Sequence, residues 1–230
     1  MLAIVDNRIP NEAKIKLSAY ADIIELETEG VTFDYLSGHP DVFFCRINNT
    51  LVYSPNTPRL ILEQLKEFGI TLLEGILPVE NRYPGCARYN AVVTEDTLIH
   101  NSKVTDKVIL DSCKDFSFFN VKQGLTRCSL LAISSEHFIT SDAGIHKTLV
   151  ASGKVTLLIS DKDIILNGLP NGLFGGTCGL MDGKLFLIGS LRHYSDSEKL
   201  KPYLDKLNVE IIELYDGPLF DGGSILFLPF

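Results

Sequence analysis

The sequence predicts an α/β ring of five strand–strand–helix–strand (ββαβ) units, closed by pairing of the first strand with the last. Three observations predict it. A run of apolar strand, polar turn, amphipathic helix and second apolar strand recurs five times, its first strands centred on Ile4, Val52, Ile99, Ile139 and Leu187. That spacing, about forty to forty-eight residues, lies in the range of structural repeats. In the second to fifth copies another apolar strand and a tight polar turn come first, so each of these copies opens with a hairpin. The first copy lacks such a leading strand, and the segment "GGSILFLPF" is a strand without a unit of its own. An open apolar edge is an aggregation hazard. Pairing "GGSILFLPF" with "LAIVD" removes two such edges at once and gives five-fold pseudosymmetry. Two open α/β domains of similar composition are the alternative, and the match between the missing strand and the orphan strand favours the ring.

The expected organisation is one domain over residues 1–230, with units at about 1–30 with 222–230, 39–77, 84–124, 126–166 and 175–215. In the first unit Pro10 sits where a first-turn proline is tolerated. The second unit pairs "VFFCRI" with "TLVY" across Asn48-Asn49. Its helix follows Pro58, carries Leu60, Ile61, Leu65 and Phe68 at helical spacing, and stops at Gly69. The third unit turns at Glu95-Asp96, with Thr105 as the expected N-cap. The fourth turns at Ser134-Ser135-Glu136 and ends its helix at Gly153. The fifth turns at Asp182-Gly183, a strong hairpin signal, and continues into a helix capped by Ser195 with Leu200, Leu204 and Leu207 on one face.

Composition narrows the function classes. A net charge of −8 with no basic cluster argues against nucleic acid, whose phosphates need a cationic surface. No apolar run approaches membrane-spanning length, so no membrane partner is expected. The start "MLAIVDNRIP" has no basic n-region and too short an apolar run for a signal peptide. Five cysteines, an odd number without a CxxC pair, fit free thiols in a reduced, cytoplasmic protein, and no cofactor is expected.

Five ββαβ units in a closed ring resemble the pentein fold, the α/β propeller of the guanidino-group modifying enzymes. The stretch "DGGSILF" (Asp221 to Phe227) is similar to the Gly-Gly-Gly-x-x-His-Cys stretch that carries the nucleophile in those enzymes. The resemblance implies a small-molecule enzyme acting on C–N bonds of guanidines or amidines, and it looks most like an uncharacterised bacterial branch. One departure matters. The positions where the family's His and Cys would fall are near Leu226 and Phe227, and no Cys or His follows residue 193. A family-type nucleophile would have to be relocated.

Chain direction places a candidate site. In an antiparallel hairpin the start of the leading strand and the end of its partner share one edge. That edge gathers Asp41, Cys86 or Arg88, Cys128, Cys178 and Asp221 from the leading side, and Asp6, Ser54, Asn101, Ser141 and Asp142 from the returning side. Cys128 follows Arg127, and a guanidinium beside a thiol favours the thiolate. Cys128 is therefore the expected nucleophile, partly open at the mouth, with Asp41 and Asp142 holding a cation and His39 donating a proton. Asp6, Arg88, Arg127, Asn101, Asp142, Cys178 and Asp221 are the expected binding residues. Their mixed charge suits a small cationic or zwitterionic ligand. Cys45 and Cys113 read as apolar filler. Three mouth thiols also suggest zinc, but they show no ligand spacing, and no metal is expected. The alternative is a non-catalytic pentein that binds a ligand or protein partner at the same mouth.

Overall fold

The computed structural model describes residues 1–230. Five three-stranded sheets, one to each unit, surround one axis. The first unit runs β1 (Leu2–Asp6), α1 (Asn11–Leu17) and β2 (Asp22–Leu26), and the second runs α2 (Pro40–Phe43), β3 (Phe44–Ile47), β4 (Thr50–Tyr53), α3 (Arg59–Glu67) and β5 (Thr71–Glu74). The third contains β6 (Val92–Val93), β7 (Thr97–His100), α4 (Lys107–Ser112) and β8 (Ser117–Asn120). The fourth contains α5 (Thr126–Ser129), β9 (Leu130–Ala132), β10 (His137–Thr140), α6 (Ala143–Ala151) and β11 (Val155–Leu158). The fifth contains β12 (Cys178–Met181), β13 (Lys184–Leu187), α7 (Ser197–Lys206) and β14 (Glu210–Glu213), and the chain returns in β15 (Leu226–Leu228).

Each leading strand pairs antiparallel with a central strand, and each central strand pairs parallel with the strand after the helix, the arrangement of a βαβ crossover. The ring closes as expected: β15 lies antiparallel to β1 in the register Leu2↔Leu228, Ala3↔Phe227 and Ile4↔Leu226. Closure is packed as well as hydrogen-bonded. Ala3 and Val5 of β1 share one apolar cluster with Phe186 of β13 and with Ile225 and Phe227. The Phe186 and Phe227 rings lie 5.0 Å apart. Another cluster joins Leu2 and Ile4 to Leu51 and Val52 of β4, so the first sheet is wedged between its neighbours on both sides.

The local signals mostly hold. Asn48, Asp182 and Gly183 at hairpin tips take positive φ (53°, 50° and 71°), and Gly69 and Gly153 end their helices at +73° and +83°. The caps differ from expectation by one residue. Asp106 rather than Thr105 caps α4, accepting from the Val108 N–H at 2.9 Å. Asp196 rather than Ser195 precedes α7, and its carboxylate accepts from the Ser160 N–H instead. A second difference shapes the site. Four of the leading strands do not begin directly at the mouth: a single helical turn precedes them, at Pro40–Phe43, Gly85–Ala87, Thr126–Ser129 and Phe174–Thr177. No helix is long and apolar enough to cross a membrane.

Candidate active site

The helical turns turn polar side chains inward across the axis. Pro40 opens α2 with its φ preset, and the next residue, Asp41, is buried. Cys128 on α5 reaches it from the fourth unit. Its Sγ lies 3.2 and 3.1 Å from the two Asp41 carboxylate oxygens. Asn90, from the loop before β6, joins the pair. Its Nδ2 donates to Cys128 Sγ at 3.2 Å and to the Asp41 carbonyl at 3.0 Å, while its Oδ1 accepts from the Cys128 N–H at 3.1 Å. His39 stands beside Asp41, with Nε2 3.9 Å from Asp6 and Nδ1 3.9 Å from Asp221. Asp221 is fixed by the N–H groups of Leu173 (2.8 Å) and Gly223 (3.0 Å). Asp6 is held by the Arg8 guanidinium, with Nε to Oδ1 at 2.8 Å and Nη2 to Oδ2.

Glycines make room for this cluster. Gly223 has φ +65°, and a Cβ there would fall 2.2 Å from His39. At Gly176 a Cβ would fall 1.9 Å from an Asp221 oxygen, which its two backbone bonds prevent from moving away. Gly176→Ala is expected to destabilise the protein by roughly 2–3 kcal/mol, read as a lower denaturation midpoint. Substitution at Gly183, where a Cβ meets nothing within 4 Å, tests only the φ requirement and should cost less.

Burial dominates the electrostatics. Asp6, His39, Asp41, Cys128 and Asp221 are all at most 3% exposed. Desolvation lifts the Asp41 carboxyl to about 6, against the pull of Arg127, and raises Asp221 as well. It lowers His39, which is neutral at rest, although both carboxylates beside it pull the other way. Cys128 is pushed well above the ordinary thiol value by burial and then by the Asp41 charge. This corrects the expectation of a partly open thiolate. Arg127 does not reach the sulfur: its guanidinium donates to the Gly175 carbonyl at 2.7 Å and the Cys178 carbonyl at 3.1 Å. Cys128 at rest is a thiol bonded to a carboxylate.

Of the residues singled out in the sequence, Asp6, His39, Asp41, Cys128 and Asp221 converge, with Arg127 at their border. The others are engaged within their own units. Asp142 caps α6 by accepting from the Ile145 N–H at 2.7 Å, so Asp6 and Asp221 are the carboxylates that accompany Asp41. Arg88 pairs with Glu80 at 2.6 Å. Asn101 braces its loop, donating to the Lys122 carbonyl and accepting from the Lys103 N–H. Cys178 is buried in β12 with its thiol pushed up to about 12. Cys86, Cys45 and Cys113 are buried thiols raised by desolvation. His100, at the end of β7, is bonded to Thr105 and the Gly124 carbonyl and lowered to about 4 by burial.

Sequence reasoning missed Asn90 and Arg8. For Asn90 a signal existed: it lies two residues before Val92, the first residue of β6, as Cys128 lies two before Leu130 and Ser224 two before Leu226. The register is shared by these three units, whereas Asp41 lies three residues before Phe44 of β3.

The site is closed on the mouth side and approached along the axis. Arg8 donates to the Asp34 carbonyl at 2.6 Å, tethering the turn at Asp34–Leu36 beside Asp6. On the other side a cavity of about 320 Å³ runs between the leading strands, from the exposed hairpin tips at Asn48 and Glu95 to Asp41, Arg127 and Ser224.

A closed ring of five ββαβ sheets is the pentein fold, and solved structures agree. The fold is similar to that of an agmatine deiminase from C. jejuni, with a TM-score of 0.55 at 10% identity over 93% of this chain and 74% of that one. It is similar to the amidinotransferase SxtG of Microseira wollei, with a TM-score of 0.53 at 11% identity over 92% and 87%. It also resembles the DDAH of Pseudomonas aeruginosa, a mutant of which was solved with citrulline, with a TM-score of 0.52 at 9% identity over 92% and 91%. The chain belongs to the family of unknown function DUF6873, whose profile matches residues 4–226. No curated protein matches the sequence.

Proposed function

We propose that this pentein acts on a small guanidino or amidino compound, as a hydrolase or transferase, with Cys128 as a relocated nucleophile. The observation that carries the reading is the contact of the Cys128 sulfur with both Asp41 oxygens, with His39 close to both. The buried carboxylates of Asp41 and Asp221 suit a cationic group, and Asp6 beside them already binds a guanidinium, that of Arg8. A cation entering beside Sγ opposes the repulsion that keeps Cys128 protonated, so ligand binding itself favours the thiolate.

In the step proposed, the thiol proton passes to Asp41, and the sulfur attacks the central carbon of the guanidinium. His39 relays that proton to the departing nitrogen as its C–N bond breaks, leaving a cationic S-amidino cysteine held by Asp41 and Asp221. Water, or an acceptor amine, then attacks the same carbon, and the sulfur leaves and regains its proton.

The test is a panel of agmatine, arginine, methylated arginines and simple amidines, read by amine release and by mass spectrometry of trapped protein. An adduct on Cys128 is expected, and Cys128→Ser should lower turnover by about a thousandfold or more while ligand-induced thermal stabilisation persists. Wild-type protein that is stabilised by a ligand yet neither turns it over nor forms the adduct would establish the non-catalytic reading instead. The complete burial of Cys128 is the feature that favours that second reading.

A further inference from the structure

We propose that His39, Asp41 and Cys128 form a binding site for one zinc ion. Their ligand atoms all lie within 4.8 Å of one another, and all three residues are buried. Thiolate, imidazole and carboxylate are the donor types zinc takes, at bond lengths of about 2.0–2.3 Å. In tetrahedral geometry such ligands stand roughly 3.3–3.8 Å apart. The Sγ–Oδ separations of 3.1 and 3.2 Å are near that range, and His39 completes the set by drawing in from within 4.8 Å of the other two.

His39 supplies the independent sign of a ligand. Both of its ring nitrogens are buried and neither has a hydrogen-bond partner, an arrangement that a folded protein avoids unless something else satisfies them. Each nitrogen also faces a carboxylate at 3.9 Å, Asp6 on one side and Asp221 on the other. Whichever nitrogen binds the metal, the other can donate to a carboxylate, the outer contact that orients metal-bound histidines. Asn90 provides the matching support for the thiolate, with Nδ2 at 3.2 Å from Sγ.

Charge and access agree. Zinc displaces the Cys128 proton, which leaves to solvent, and the dication is then neutralised by the thiolate and the Asp41 carboxylate. Magnesium and calcium, which prefer six or more oxygen ligands, do not suit a sulfur–nitrogen–oxygen set. The axial cavity ends at Asp41, which gives an ion a path from the hairpin tips. Zinc and a guanidino ligand would need the same sulfur, so the ion excludes the chemistry proposed above. The zinc site does not depend on that chemistry.

The test uses the full chain, reduced, titrated with Zn2+ against a chromophoric chelator and with Co2+ as a spectroscopic probe. One equivalent is expected, with a thiolate-to-cobalt charge-transfer band and intense tetrahedral ligand-field bands. X-ray absorption of the zinc form should show one sulfur and otherwise nitrogen or oxygen ligands. Cys128→Ser and His39→Gln should weaken binding about a hundredfold or more, Asn90→Ala about tenfold, and Cys178→Ala not at all. A folded wild-type protein that takes up no stoichiometric zinc overturns the proposal, as does a zinc shell without sulfur. The absorption measurement needs no variant, so a misfolded Cys128→Ser does not blunt the test. It needs no turnover either, so failure here leaves the catalytic reading standing.

Discussion

Removing residues 225–230 is expected to leave the chain unfolded at room temperature. The deletion strips β15 from β1, so the first sheet loses its leading strand and the ring opens. It also removes Ile225, Phe227 and Leu228, all at most 4% exposed, from two apolar clusters. Each loss of a buried side chain of this size costs about 2–5 kcal/mol. Three together rival the roughly 5–15 kcal/mol that stabilises a folded protein. The freed edge of β1 is apolar along its whole length before Asp6, which adds an aggregation hazard. Deleting only Pro229 and Phe230 is the control. Phe230 is 61% exposed, with its ring 5.2 Å from that of Phe68, so that shorter deletion should cost about 1 kcal/mol or less. Circular dichroism of both truncations during heating reads the difference. A 225–230 deletion that melts at the wild-type temperature would refute closure through this seam.

Acidification from pH 6.5 to 4 should change the stability of the wild-type protein little, because two buried groups oppose each other there. His100 falls from its ordinary 6.5 to about 4 in the fold. Its contribution is complete above pH 6.5 and is lost as pH falls towards 4, because the unfolded chain takes up the proton first. Asp41 rises from 3.8 to about 6. Its folded form prefers the proton, so its contribution is complete below pH 3.8 and is lost as pH rises through 6. Each shift corresponds to about 3 kcal/mol at full development. Asp221, raised, and His39, lowered, add one further group to each side. Asp41→Asn should therefore lose about 3 kcal/mol on acidification over this window, and His100→Asn should gain stability. Denaturant midpoints measured across the pH range would show the two variants diverging. Curves that run parallel to wild type would mean that these two groups titrate normally in the fold.

The ring was legible in the sequence because each of its signals is local. Asp182-Gly183 and Asn48-Asn49 mark tips through their tolerance of positive φ, Gly69 and Gly153 mark helix ends in the same way, and alternating apolar runs mark strands. Repetition of those signals supplied the topology, and the unmatched strand at Ser224 to Leu228 supplied the closure. The edge of the ring that holds the site was legible too, since strand direction alone places Asp6, Asp41, Cys128 and Asp221 together.

What the sequence could not show is what each of those side chains faces. Arg127 and Cys128 are neighbours in the chain, which suggested a guanidinium beside a thiol. On the turn of α5 successive side chains point about 100° apart. Arg127 therefore lines the axial cavity, and Cys128 meets Asp41. Burial was likewise invisible. Whether a thiol is open or sealed depends on Asn90, which bonds the sulfur, and on the close approach of Gly175 to the Cys128 backbone, both contributed by other units. The sequence by itself determined the five units, their order and their closure, because propensity and periodicity act over a few residues. The tertiary structure alone decided that Cys128 is a buried thiol on a carboxylate, because desolvation and charge are set by residues distant in the chain and adjacent only once the ring is closed.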